Sequence, residues 1–259
     1  MAVLSVISVI TSFVFIFVSI PDQYTVIAGI AFAVLMIALY IAFWISANRM
    51  KCINLSINTS KAIVKIGDLH QEDGLKVIAF NEYFDTLVDE KVIASSSLNG
   101  KFIKEYISDV NALDKEIYEN KHLINCRLDG NLSKTEGKTQ KYKLGSIHAH
   151  KSYLLTAFTR FDEQNRAFLT MSDYIDCLLN FWNEIDIIYA NRSVVIPLLG
   201  ASALTRLRDY DTMSEQEKLE LLLWSFKVSR IKFTYPAKVT IVIHESLRDK
   251  INFHRLRRI

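Results

Sequence analysis

Two stretches of the chain put small and hydroxylated residues between an apolar run and a helical period, the arrangement that lets backbone amides hold an anion. In IPLLGASALTR, residues 196–206, the run from Val194 to Leu198 passes through Leu199, Gly200, Ala201, Ser202, Ala203 and Leu204, and Thr205-Arg206 is expected to open a helix. In VIASSSLNGKFIKEYI, residues 92–107, the apolar start leads through Ser95, Ser96, Ser97, Leu98, Asn99 and Gly100 into a second helix. A helix N-terminus carries unpaired N–H groups and the positive end of the helix dipole, so each stretch suits phosphate. Either one alone also reads as an ordinary strand-to-helix turn, with the serines as plain N-caps. Together they supply donors from two sides, which is what a diphosphate needs.

A carboxylate and an amide stand where the other end of such a ligand would lie. Ile66-Gly67-Asp68-Leu69 ends one strand pattern and Val77 to Asn81 ends the next, followed by Glu82, Tyr83, Phe84, Asp85 and Thr86. Ligands of open α/β sheets sit outside the carboxyl ends of the strands, where Asp68 and Asn81 fall. A carboxylate repels phosphate, so Asp68 suits an amino group or a hydroxyl, such as adenine N6 or a ribose. Asp85 is the one candidate acid or base for hydrolysis, but a lone acid in a loop is more often a capping or solvated residue than a catalyst, so no catalytic residue is assigned. His148-x-His150 puts two imidazoles on one strand face without a third ligand nearby in the sequence, and no metal is expected. Cys52, Cys126 and Cys177 are odd in number and lack CxxC spacing, so they read as reduced thiols rather than a zinc site or a disulfide scaffold.

These groups need elements to carry them. Strands are expected at Cys52–Ile57, Ala62–Ile66, Lys76–Phe80, Tyr142–Ile147, Ser152–Phe161, Ser193–Leu198 and Lys238–His244 from their β-rich or continuous apolar runs. Helices are expected at Leu98–Val110, from about Asp114, at Met171–Ala190 and at Met213–Ser229. Residues 131–141, NLSKTEGKTQK, form the one hydrophilic loop long enough to be mobile. Interleaved strands and helices predict a three-layer α/β/α domain with a mixed sheet over residues 51–259.

The first 50 residues belong to a different solvent. All 31 Lys and Arg lie beyond Asn48, and Asp22 is the one acidic side chain before it. The uncharged runs at residues 3–20 and 25–47 each approach the roughly 20 residues that cross a hydrocarbon core, and Pro21-Asp22-Gln23-Tyr24 between them has room for a turn alone. A two-helix transmembrane hairpin is expected; a signal peptide is the weaker alternative, since Met1 to Leu4 lacks a basic segment. Arg49 and Lys51 follow the second span and keep both termini in the cytoplasm by the positive-inside rule, with Tyr24 and Trp44 at belt positions. Gly29, Ala33, Ala38 and Ala42, with Ser8 and Ser12 on the first span, allow close helix contact in lipid. A net charge of +3 makes no case for nucleic acid, and the tail with Arg248, Lys250, Arg255, Arg257 and Arg258 against Asp249 reads as a solvated terminus.

GDLHQEDGLKVIAFN followed by SSSLNGKFI resembles the macro-domain pattern. FNEYFDT, SLNGKFI and IPLLGASALTR together are more particularly similar to the divergent macro domain of Thoeris antiphage effectors, whose membrane-bound class joins a transmembrane hairpin to such a domain. The motifs cover most of residues 60–245. The resemblance implies an adenine-contacting role for Asp68 with Leu69, and a ribose-proximal role for Asn81. It implies a first phosphate loop of Ser96, Ser97, Leu98 and Gly100, and a second from Leu199 and Gly200 through Ala201, Ser202, Ala203, Leu204 and Thr205 to Arg206. Tyr83, Phe84 and Asp85 would wall the distal end. Serines replace a common glycine triplet, and Ala201 and Ala203 stand where glycine is usual, which implies a tighter loop. The implied protein is not an enzyme and needs no cofactor. It binds an ADP-ribose derivative carrying histidine or an imidazole-type base, made by a TIR-domain partner, then oligomerises and disrupts the bacterial inner membrane, stopping the infected cell. A membrane-anchored ADP-ribose hydrolase and a passive anchored binding module remain open readings.

Overall fold

The computed structural model describes residues 9–13, 21–131, 134, 136–162, 165–201, 206–207, 213–234 and 236–257. The chain divides into two compact units, Met1–Met50 and Lys51–Ile259. In the first, the Pro21 carbonyl accepts from the Tyr24 N–H at 2.8 Å and starts helix α1 (Asp22–Asn48). Its segment Gln23–Ile45 has a mean hydropathy of 2.7 and is long and apolar enough to cross a membrane. It is the one such helix among the described residues. Of the other expected span, residues 9–13 are helical and the rest, Ser8 included, lies outside the described residues.

The second unit is built on β1 (Cys52–Ile57), β2 (Ser60–Ile66), β3 (Leu75–Asn81), β4 (Arg127–Leu128), β5 (Lys141–Tyr142), β6 (Ile147–His150), β7 (Tyr153–Phe161), β8 (Ala167–Leu169), β9 (Val194–Pro197), β10 (Arg206–Leu207) and β11 (Val239–Ile243). Its helices are α2 (Leu98–Tyr106), α3 (Val110–Glu119), α4 (Lys121–Ile124), α5 (Met171–Ile188), α6 (Glu215–Ser229) and α7 (Phe253–Leu256). The main sheet runs β1-β2-β11-β9-β3-β7-β8-β10, with β6 also paired to β7. The five strands β2, β11, β9, β3 and β7 are mutually parallel, β1 is antiparallel to β2, β6 and β8 are antiparallel to β7, and β10 is parallel to β8, so the sheet is mixed as expected. Asn58 and Thr59, both with positive φ, turn β1 tightly into β2.

Alternate residues of the central strands face opposite layers. Ile78, Phe80, Leu155 and Ala157 join Phe102, Ile103, Leu113, Ile117 and Leu123 of α2, α3 and α4 in one core. On the other face Phe158 meets Tyr174 of α5, and Trp182 of α5 packs on Phe226 of α6 with ring centroids 4.7 Å apart. All five residues of β11 are buried, the mark of a strand covered on both sides. These two cores make the three-layer α/β/α arrangement.

Three expected elements differ. The helix expected at Leu98–Val110 ends at Tyr106, because Asp109 takes an extended conformation and caps a separate helix by accepting from Ala112 N–H at 3.0 Å. The strand expected at Tyr142–Ile147 is split by Gly145 at φ +85°, where α5 comes so close that its backbone would meet any side chain. The helix expected to open at Thr205-Arg206 is not seen among the described residues: Arg206 and Leu207 pair with Phe168 and Leu169 as an edge strand, and the next described helix is α6.

Candidate functional site

The carboxyl ends of the parallel strands open into a cleft of about 650 Å3. Gly67, Asp68 and Leu69 reach it from β2, Asn81 from β3, Thr159 from β7, Pro197 to Ala201 from β9 and His244 from β11. This is where a doubly covered sheet leaves unfilled space. The rim opposite is made by residues 90–94 and by Ser96, Ser97, Leu98 and Asn99.

Each group is held locally. The Gly67 N–H donates to the Ile243 carbonyl at 3.0 Å, tying the end of β2 to β11. Asp68 then caps a single 3-10 turn, Leu69–Gln71, by accepting from the His70 N–H at 2.9 Å. Leu69 is buried in the core below it. A register shift between β3 and β7 at Phe80 and Asn81 brings Asn81 opposite Thr159, and both line the cleft.

The first expected phosphate loop forms as a helix entrance. Ser97 is extended, and its hydroxyl accepts from the Gly100 N–H at 2.9 Å while donating to the Ala94 carbonyl at 2.7 Å. Gly100 does not line the cleft; it is buried because its helical turn rests on Ala94 and Ser95, where a Cβ would overlap the Ala94 carbonyl oxygen. The first N–H groups of a helix have no intrahelical acceptor. Leu98 and Asn99 carry two of them at the cleft wall, and Lys101 adds a positive charge there.

The second loop is described as far as Ala201. Leu199, Gly200 and Ala201 line the cleft, Gly200 at φ +79° as a left-handed turn demands, with the Tyr174 hydroxyl donating to the Leu199 carbonyl at 3.1 Å. Ser202, Ala203, Leu204 and Thr205 lie outside the described residues. Arg206 and Leu207 form β10, so among the described residues this side offers the site the Gly200 turn rather than a helix N-terminus.

Tyr83, Phe84 and Asp85 are placed differently from the expectation that they wall the cleft. None lines it, and all three are buried. The Asn81 side chain is the cause: its Oδ1 accepts from the Tyr83 and Asp85 N–H groups at 3.0 and 3.2 Å, and its Nδ2 donates to Asp85 Oδ2 at 2.9 Å. That turn puts Phe84 at φ +49° and drops it against Phe80 and Tyr142. Asp85 receives Lys134 Nζ at 2.5 Å and the Lys138 N–H at 2.6 Å, and Lys134 lies 3.9 Å from the Tyr83 ring centroid. The described part of the 131–141 loop is therefore pinned by buried charge rather than loose. Burial pushes the Lys138 ammonium below the usual lysine range, against the pull of Asp114 at 2.7 Å.

Several cleft residues carry no local signature. Thr159 lies in mid-strand, and Glu90, Lys91 and His244 arrive through tertiary packing. Glu90 is held below the usual carboxylate range by its hydrogen bonds from Ser95, and Lys91 is raised by Glu136 at 3.1 Å. Lys101 was also missed, although its place directly after the SLNG motif is a signal that could have found it.

The histidine pair acquires a partner that spacing did not show. Glu116 of α3 lies 2.8 Å from His150 Nδ1 and 3.4 Å from His148 Nε2. Burial holds the fully enclosed His148 below the ordinary imidazole range. Of the thiols, Cys177 is buried and pushed up by desolvation, Cys126 is half-buried and raised by burial and by Glu184, and Cys52 is exposed.

With this geometry in place, three comparisons bear on the chain. The sequence model of the family described as "Thoeris protein ThsA, Macro domain" matches residues 63–244. The Thoeris protein ThsA of Bacillus amyloliquefaciens (strain Y2) is 42% identical over 214 residues, covering 80% of this chain and 70% of that protein. Among solved structures, the Oceanobacillus iheyensis macrodomain with ADP is 11% identical at a TM-score of 0.47, covering 80% of this chain and 98% of its own. A variant of that macrodomain is 13% identical at a TM-score of 0.48, covering 81% and 94%.

Proposed function

The chain belongs to the Thoeris ThsA macro-domain family of antiphage effectors, and on that premise we propose that its cleft binds an ADP-ribose-derived messenger carrying histidine or an imidazole-type base. A TIR-domain partner enzyme supplies that messenger. Binding favours an oligomer, and the assembled apolar N-terminal segments, two spans in the bacterial inner membrane with the macro-like domain in the cytoplasm, disrupt the bilayer and stop the infected cell. The observation that supports this reading is the meeting of Asp68, the α2 entrance and the Gly200 turn in one cleft. Asp68 accepts from adenine or ribose, the Leu98 and Asn99 amides and the Gly200 turn face the diphosphate, and Asn81 and Thr159 lie between them.

Binding without turnover is favoured because Asp85, the acid on which hydrolysis would depend, is buried beneath Lys134 and off the cleft. Titration calorimetry with histidine-conjugated ADP-ribose should give saturable binding by the full chain. A hydrogen bond to a charged group contributes about 1.5–3 kcal/mol, so Asp68→Ala should weaken it roughly 10- to 100-fold. Equal affinity of the wild type and Asp68→Ala would remove Asp68 from the site. Release of product from ADP-ribosylated substrate by the wild type would turn the account toward a hydrolase.

A further inference from the structure

Where α4 faces α5, three side chains of different chemistry meet. His122 Nε2 lies 2.5 Å from Glu184 Oε2, and one ligand atom each of His122, Cys126 and Glu184 falls within 4.8 Å of the others. Their carriers are fixed. Asn120 caps α4 through the His122 and Leu123 N–H groups at 2.9 and 3.0 Å, and Leu123 is buried. The Cys126 carbonyl accepts from Lys143 N–H at 2.8 Å, and the same segment is clamped to α5 by Asn180 donating to the Leu144 carbonyl at 2.8 Å. Glu184 projects from α5 with its side chain 9% exposed, whereas that of His122 is 39% exposed.

We propose that His122, Cys126 and Glu184 form a Zn2+ site that ties α4 to α5. A buried carboxylate needs a counter-charge, and a carboxylate with a thiolate matches a divalent cation in charge. Imidazole, thiolate and carboxylate are all Zn2+ ligands, with bonds of about 2.0–2.3 Å, and three protein ligands leave the fourth position to water. The exposed edge of His122 gives the ion its entry path. On binding, a Zn–S bond replaces the Cys126 S–H and the proton leaves to solvent. The His122–Glu184 hydrogen bond opens, the Nε2 proton passes to solvent with Nδ1 keeping the imidazole's one N–H, and the freed Nε2 lone pair and a carboxylate oxygen turn to the metal.

The neighbouring His148, His150 and Glu116 set is excluded as a zinc site by Asn120. With its Oδ1 committed to the α4 cap, Asn120 presents Nδ2 to His148 Nδ1 at 3.0 Å, which leaves the imidazole proton on Nε2, the nitrogen facing Glu116. His122 has no such constraint: among the described residues no hydrogen bond holds its Nδ1, so the proton that its Nε2 shares with Glu184 can be carried on Nδ1 instead.

Cobalt titration of the detergent-solubilised full chain tests the site. One Co2+ per chain with a thiolate-to-metal charge-transfer band, displaced by Zn2+, is expected in the wild type and in Cys52→Ser, and loss of the band in Cys126→Ser. Zn2+ at about 100 times its Kd should raise the melting temperature by about 5–10 °C. Absence of the band, or its survival in Cys126→Ser, overturns the proposal. Should Cys126→Ser fail to fold, maleimide labelling of the wild type decides. Zn2+ at about ten times its Kd should slow labelling of Cys126 about tenfold relative to Cys52, and unchanged labelling contradicts the site.

Discussion

One hydroxyl at Ser97 both starts α2 and anchors it to the preceding turn, which leaves the next amides free for a ligand. Ser97→Ala should therefore cost about 0.5–2 kcal/mol of stability, read from denaturant midpoints, because the cap is lost without a change in shape. The contrast is Asp85. Its carboxylate is fully buried and the Lys134 side chain is 5% exposed, so the two charges exist there only as a pair. Lys134→Ala leaves the carboxylate unpaired and should cost about 3–5 kcal/mol, several times the effect of losing an exposed pair. If the two variants melt alike, the ion pair is not what holds the 131–141 segment. Asp85 also shows what residue type alone conceals: an acid after a strand end reads as a site acid, and only the Asn81 turn beneath it sends it inward.

Elements set the cleft by their ends. Arg160 on β7 joins Asp173 at the start of α5, with Nη2 2.8 Å from Oδ1, and reaches buried Glu82 at 3.3 Å. The Arg160 hydrogen bond holds the Asp173 carboxyl below the usual carboxylate range. A depressed folded value contributes stability above the unfolded value, near pH 3.8, and that contribution is lost as pH falls through the folded value. Wild-type stability should thus drop below about pH 4, and Asp173→Asn should flatten that limb while starting from a lower plateau; parallel pH curves would rule the pair out as its source. Strand positions were legible because apolar runs such as VIAF and VTIVI survive any context, and α5 and α6 were legible from their helical periods, which Thr170 and Ser214 cap in the structure. Two boundaries were not. The period from Leu98 to Val110 is continuous in hydrophobicity, and the break comes from a capping bond at Asp109 that hydrophobic spacing does not encode. LTRL after the Gly200 turn fits a helix as well as a strand, and Arg206-Leu207 is decided by the free edge of β8, a tertiary fact. Of the site, Asp68, Asn81, the SLNG entrance and Gly200 were readable from their places at strand ends, whereas Thr159 and His244 come together only through sheet order.

At the scale of the whole molecule, one chain joins a helix suited to lipid with a domain suited to a nucleotide. The proposed role requires the two to communicate through assembly, and a ligand drives assembly only by its differential affinity for the assembled state. Moving the population from mostly separate to mostly assembled takes a preference of about 10^4-fold. Such a ligand has to contact something that differs between the two states, so tight binding alone is not enough. The most direct measurement is the mass of the detergent-solubilised full chain, followed by light scattering while histidine-conjugated ADP-ribose is titrated past saturation. The account predicts a stepwise rise to a multiple of the protomer mass, absent with Asp68→Ala at the same concentration. A mass that stays unchanged at saturating ligand would contradict it.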